Sequence, residues 1–342
     1  MQYKFFLPFL RVKKEIHMKF PYYRLRRLRK TQLIREMVAE NRINIKDFIY
    51  PLFISEKITI NHPIQSMPGQ YQIALNKLVN EVDKLIKLGL KKFILFGIPT
   101  HKDAAGTSAY AENGIIQQAV RKLNKEFSSN IIIVTDICMC GYTNHGHCGI
   151  LRDRSVDNDL TLKYLGKIAL SHVNAGVDIV APSAMMDGQV KVIRKILDEN
   201  GFSDVAIMAY AAKYASHFYS PFRMAAESAP SFGDRKGYQM DFRNSNEALQ
   251  EIRLDLEEGA DIILVKPALA YLDVIYRVKA QFQVPTAAYN VSGEYSMIYN
   301  AIQQKILHED LIFEILIAIK RAGADLIISY FAPQVAKILQ EA

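Results

Sequence analysis

The three cysteines of this chain fall within eleven consecutive positions, in Asp136-Ile137-Cys138-Met139-Cys140-Gly141-Tyr142-Thr143-Asn144-His145-Gly146-His147-Cys148-Gly149. A lone thiol is chiefly a small buried hydrophobe. Three thiols with two histidines and an aspartate in one glycine-punctuated loop make a borderline-soft ligand set that suits Zn²⁺. A disulfide fits less well. Cys138 and Cys140 are too close in sequence for an easy bridge, one cysteine would be left over, and so few cysteines in 342 residues point to an intracellular protein. Structural zinc is normally closed by four ligands from two separated knuckles. Cys-x-Cys with one later cysteine supplies three thiolates and leaves a position open, the arrangement of a catalytic metal.

Two lysines stand where lysine is uncommon. Lys213 lies in Met-Ala-Tyr-Ala-Ala-Lys-Tyr-Ala-Ser and Lys266 in Ile-Ile-Leu-Val-Lys-Pro. A snorkelling or salt-bridged side chain is the plainer reading of either alone. Two cations in one dry site, however, depress each other's pKa, and the resulting neutral amine attacks a ketone to form a Schiff base. The long segment 219–240 reads as a mobile lid in which Arg223 and Arg235 clamp a substrate carboxylate with their guanidinium forks. Solvated surface arginines are the alternative.

Such groups need a frame, and the chain repeats one. Apolar, β-branched runs occur at 47–54 (DFIYPLFI), 92–98, 131–138, 177–184, 205–211, 261–267, 285–292 and 324–331. Between them lie amphipathic stretches such as 73–88, 160–174, 190–200, 248–258 and 311–321, after a first helical pattern over 31–41. Gly89, Gly176, Gly259 and Gly323 stand where a helix C-cap requires a left-handed residue. Eight buried strands alternating with helices predict an α/β fold, a (β/α)₈ TIM barrel. An open doubly wound sheet is the alternative, but no Gly-x-Gly-x-x-Gly supports a dinucleotide site. In a barrel, chemistry belongs at the C-terminal ends of strands. Asp136 and Cys138 close the third, Lys213 follows the fifth, and Lys266, Ser292 and Tyr330 end the sixth, seventh and eighth.

With 50% apolar and 23% charged residues, the chain has material for one large core. Its net charge of +8 is local: ten of the 43 basic residues and one of the 35 acids fall in residues 1–30, so the rest is close to neutral. That distribution argues against nucleic acid as a partner. Residues 5–10 are apolar but interrupted by Pro8, too short for a signal peptide or a membrane span. We therefore expect a cytoplasmic protein with no membrane partner, a basic N-terminal arm over 1–41 with 1–18 flexible, and a barrel over 42–342. Met18 offers an alternative start, which intact mass of natively expressed protein would reveal.

From about Tyr23 onward the chain resembles the porphobilinogen synthase (5-aminolevulinate dehydratase) family. The likeness rests on RLRRLR, DFIYPLFI, the cysteine loop DICMCGYTNHGHCG, YAAKYAS, FYSPFR, FGDRKGYQ, LVKPALAYLD, YNVSGEY and KRAGADLIISYF. It implies condensation of two 5-aminolevulinate molecules to porphobilinogen with loss of two waters, in tetrapyrrole (haem) synthesis. Lys213 and Lys266 would be the Schiff-base lysines, and Cys138, Cys140 and Cys148, with His147 beside them, the zinc ligands of the zinc-using type. Arg223, Arg235 and Gln239 would hold one substrate carboxylate, and Ser292 and Tyr330 the other. Glu251 matches a position that binds an allosteric Mg²⁺ in bacterial members, and a solvated helical glutamate is its plainer reading. The resemblance also implies a homo-octamer in which the arm hugs a neighbouring barrel. Ala184 departs from the aspartate of many relatives. A class I aldolase would explain one lysine and leave the cysteines idle, and a thiol-based metal or redox sensor would leave Lys266 unexplained.

Overall fold

The computed structural model describes residues 20–341, so the expected flexibility of 1–18 and the alternative start at Met18 lie outside the described residues. Two compact units divide between Arg42 and Ile43. In the first, a 3₁₀ turn Leu25–Arg29 precedes a helix Gln32–Met37, capped by the Thr31 hydroxyl, which accepts from the Ile34 N–H at 3.3 Å. Neither element buries a residue, and Leu33 and Met37 are exposed.

The second unit is the barrel. Its strands are β1 (Phe48–Ser55), β2 (Lys92–Ile98), β3 (Ile132–Ile137), β4 (Ile179–Pro182), β5 (Ala206–Lys213), β6 (Ile262–Lys266), β7 (Thr286–Asn290) and β8 (Leu326–Ser329). All pair in parallel, and Phe48↔Ile327 with Ile49↔Ile328 joins β8 back to β1. That closure confirms the (β/α)₈ barrel over the open sheet. Continuous apolar runs are what such strands require, because side chains fill the barrel on one face and meet helices on the other; every residue of β1 is buried.

Helices follow each strand, and their periodicity shows why. Gln189–Glu199 buries Val190, Ile193 and Leu197, a stripe at i, i+3 and i+7. The four expected C-cap glycines adopt φ of 86°, 98°, 105° and 121°. The stretch expected as a helix over 73–88 begins only at Leu78, because Tyr71–Ala74 pairs as an extra strand beside the end of β1. His62–Pro63 pairs antiparallel outside it. A two-stranded ribbon, Leu151–Arg152 with Ser155–Val156, follows the cysteine loop. Its turn residues Asp153 and Arg154 have φ of 48° and 66°, as a tight hairpin requires.

Gly97 in β2 is where the frame meets the cysteine loop. A Cβ there would lie 2.5 Å from the Tyr142 hydroxyl and 2.9 Å from both Ile115 and Ile116. Gly97→Ala should lower stability by about 1–3 kcal/mol, as overpacked cores do. Adding Tyr142→Phe, which removes the nearest atom, should recover part of the loss in thermal unfolding.

Candidate active site

β5 and β6 end side by side, with Lys266 the register partner of Lys213. A register shift between Ile263 and Val265 creates that partnership; without it Lys266 would sit opposite Ala212, one residue out of step. Both lysines are buried. The Lys213 ammonium donates to the Ser183 carbonyl at 2.5 Å. Lys266 Nζ instead lies under rings, 4.3 Å from the centroid of Tyr289, 4.9 Å from Phe222, 5.1 Å from Tyr219 and 5.3 Å from Tyr210. Burial, and then the neighbouring Lys213, push the Lys266 amine down to about 7. Asp136, at the end of β3, pulls the other way. Its own carboxyl is pushed up to about 6 by burial, against the nearby Lys213 and a hydrogen bond from Ser183.

β3 leads directly into the thiols. Cys138 and Cys140 Sγ are 3.5 Å apart, and all three sulfurs lie within 4.8 Å of one another. Tetrahedral zinc with Zn–S near 2.3 Å places its sulfurs roughly 3.8 Å apart, so the triad fits that ion. Hydrogen bonds from the Cys138 and Cys140 thiols hold Cys148 well below the ordinary thiol range, with Arg235 and Lys213 adding to the effect. A void of about 20 Å³ lies against Asp136, Cys138, Cys140 and Phe222, room for one water-sized group. His147 does not join the triad. Its Nδ1 meets the Tyr238 hydroxyl at 3.2 Å and its Nε2 the Phe232 carbonyl at 3.0 Å, so both ring nitrogens bind segment 219–240.

That segment lies over the lysines. The short helix Ser220–Ala225 brings in Phe222 and Arg223, and Arg235 follows, buried, donating to the Gly146 carbonyl at 2.9 Å and to the Ser228 carbonyl. Arg223 and Arg235 are close enough to repel each other. Among the described residues, the Nε of each and both polar atoms of the buried Gln239 find no hydrogen-bond partner. Unpaired donors between two guanidiniums suit an anion. Ser292 accepts from the Phe222 N–H at 3.0 Å and donates to the Phe218 carbonyl at 3.2 Å, which ties its hydroxyl to that helix and to the turn His217–Tyr219 before it. The Tyr330 and Tyr289 hydroxyls meet at 2.9 Å. Glu251 stands apart. With Asp187, Glu247, Asp255 and Glu258 it faces a cavity of about 670 Å³ that neither lysine and no cysteine lines. Burial and these neighbouring acids raise its carboxyl, and they push Asp255 up to about 8.

The family model described as "Delta-aminolevulinic acid dehydratase" matches residues 22–338. The chain belongs to the delta-aminolevulinic acid dehydratase family. The dehydratase of Methanothermus sociabilis is 57% identical over 318 residues, covering 93% of this chain and 99% of that protein. That of Bacillus subtilis is 50% identical over 319 residues, covering 93% and 98%. The crystal structure of the Toxoplasma gondii dehydratase (porphobilinogen synthase), solved with its reaction product porphobilinogen, superposes with a TM-score of 0.91 at 39% identity, covering 93% of this chain and 92% of that one. The chain is thus a lyase of porphyrin biosynthesis with a small-molecule substrate, and the aldolase and sensor readings fall away. Among the described residues no helix is long and apolar enough to cross a membrane.

Within this dehydratase, Asp136 was legible at a strand end and in the ligand set of the cysteine loop, but not as a neighbour of the lysine pair, and neither Tyr210 nor Ser183 stood out. The position of Asp136 at the close of β3 was the available signal. If the thiols are the metal site, Cys138→Ala should at least halve bound zinc measured by atomic absorption and lower turnover with it. Unchanged zinc stoichiometry would place the metal elsewhere.

Proposed function

We propose that this dehydratase condenses two molecules of 5-aminolevulinate to porphobilinogen with loss of two waters, through Schiff bases on Lys213 and Lys266. The observation that carries the reading is the registered, buried lysine pair beside three clustered thiols. The Toxoplasma gondii relative solved with porphobilinogen supports the product.

Lys266 is poised as a nucleophile. With its pKa near 7, about half of it is a free amine at neutral pH. The amine adds to a substrate ketone, and the carbinolamine so formed loses water to give the protonated imine. That loss needs a proton on the departing hydroxyl. Asp136, pushed up to about 6, can hold one at neutral pH more readily than an ordinary aspartate. The unpaired donors of Arg223, Arg235 and Gln239 suit the carboxylate of one substrate. Ser292 and Tyr330 are assigned to the other, and the bonds from Ser292 to Phe218 and Phe222 couple that second site to closure of the lid.

Cys138, Cys140 and Cys148 would hold a catalytic zinc, as in the zinc-using type. When bound, that ion supplies a Lewis acid with an open coordination position. The two hydrogen bonds of His147 support lid anchorage as its role, beside the zinc ligation that the family resemblance implies. The acidic cluster around Glu251 is the place we assign to an allosteric Mg²⁺. Family resemblance supports a cytoplasmic homo-octamer, and the arm, which buries none of its own helical residues, is consistent with hugging a neighbouring copy.

Colorimetric turnover of 5-aminolevulinate, before and after chelation and again with zinc restored, tests the reaction and the metal together. Loss and recovery are expected; indifference to chelation would remove the metal from the mechanism. Lys266→Ala should abolish turnover and borohydride-trapped substrate adduct while leaving the far-UV circular dichroism intact. Normal turnover in that variant would overturn the assignment. Because the folded pKa of Lys266 is depressed, the nucleophilic form is lost as pH falls. Adduct formation on Lys266 should therefore drop about tenfold per unit below pH 7. Lys213→Met removes the neighbouring charge and should move that limb to higher pH.

A further inference from the structure

The lid is fastened at two ends. One fastening is to the cysteine loop, through His145, Gly146 and His147. The other has no part in the chemistry described above. At Glu227 the backbone adopts φ of +48°, a left-handed conformation disfavoured for any residue with a Cβ. Two lysines from two different strand-end loops hold it there. Lys57, after β1, reaches the Glu227 carboxylate at 2.5 Å, and Lys102, after β2, donates to the Glu227 carbonyl at 2.5 Å. Burial pushes the Lys102 ammonium below its ordinary range, and Glu227 is the leading group that pushes it back. Neighbouring lid carbonyls are held by side chains that follow β1, with Gln72 donating to Ala225 at 2.8 Å and Ser66 to Pro221 at 3.3 Å.

We propose that Glu227 is a positioning residue, an electrostatic latch that closes helix Ser220–Ala225, and with it Phe222 and Arg223, over the lysine pair. This rests on the reading of segment 219–240 as a lid over the 5-aminolevulinate site. Lys57 and Glu227 are each more than a third exposed, at 35% and 39%. A pair in that environment is weak and salt-sensitive, which suits a contact that must open and re-form in each turnover.

Glu227→Gln preserves shape and removes the charge. The expected result is a ~2- to 5-fold rise in KM for 5-aminolevulinate with kcat little changed, and a similar rise in the rate of tryptic cleavage after the exposed Lys236, followed by mass spectrometry. Lys57→Met should do the same from the other side, and the double variant should be no worse than either single one. Raising salt should increase KM more steeply in the parent enzyme than in Glu227→Gln, where only the screening of the substrate's own charge is left. Unchanged KM and cleavage, a fall in kcat alone, or additive single variants would each overturn the latch. If the parent chain makes no porphobilinogen while cleavage still responds to the substitutions, the latch stands and the reaction reading fails.

Discussion

Removing an ammonium from water costs several kcal/mol even after the protein relaxes around it, and this barrel removes two side by side. Most of the site answers to that cost. The register shift in β6 turns both lysines to one face, where Lys213 weakens the hold of Lys266 on its proton. Lys213 finds a carbonyl at Ser183, while Lys266 lies among the faces of four aromatic rings. Ring quadrupoles stabilise a cation but offer no lone pair to fix it. Lys266 is therefore held in place without being committed to its charged form, the condition a nucleophilic amine requires at neutral pH.

The cations above the lysines create the complementary need. Arg235 joins the cysteine loop to the lid through the Gly146 and Ser228 carbonyls, and its charge favours the Cys148 thiolate. Gly146 permits this closeness: it adopts φ of +71°, and a Cβ there would lie 2.2 Å from the Ala229 carbonyl oxygen. Arg223 and Arg235 confined together, with unpaired Nε atoms, form a closed site still short of negative charge. On the proposed reaction a substrate carboxylate would supply it, and closure and binding would then depend on the same guanidiniums.

How much of this was legible depended on the range of the interaction. The eight strands were readable because a parallel strand covered on both faces is a continuous apolar run, whatever its partners. The glycines at 89, 176, 259 and 323 were readable because a C-cap is local chemistry. The start of helix Leu78–Lys87 was misjudged because Tyr71–Ala74 is drawn into the sheet by β1, a partner remote in sequence. Lysines 213 and 266 stood out by their apolar settings, yet the β6 register shift that pairs them leaves no mark in composition. His147 was read as a zinc ligand from the family resemblance, and its hydrogen bonds were not legible. Tyr238 and the Phe232 carbonyl, about ninety residues away, decide where its nitrogens go.

Two identical substrates meeting in one pocket must be told apart by the pocket, and the asymmetry here is electrostatic as well as geometric. Around Lys266 the walls are aromatic, so its partner ketone would meet a dry, weakly polar surface that favours imine formation by excluding water. Around Lys213 the walls are polar, with Ser183, Asp136 and the nearby thiols. A bound substrate on that side would lie among groups able to take and return protons. On the proposed reaction one lysine would serve carbonyl activation and the other would stand beside a proton reservoir, with the carboxylate of each substrate held by its own anchor.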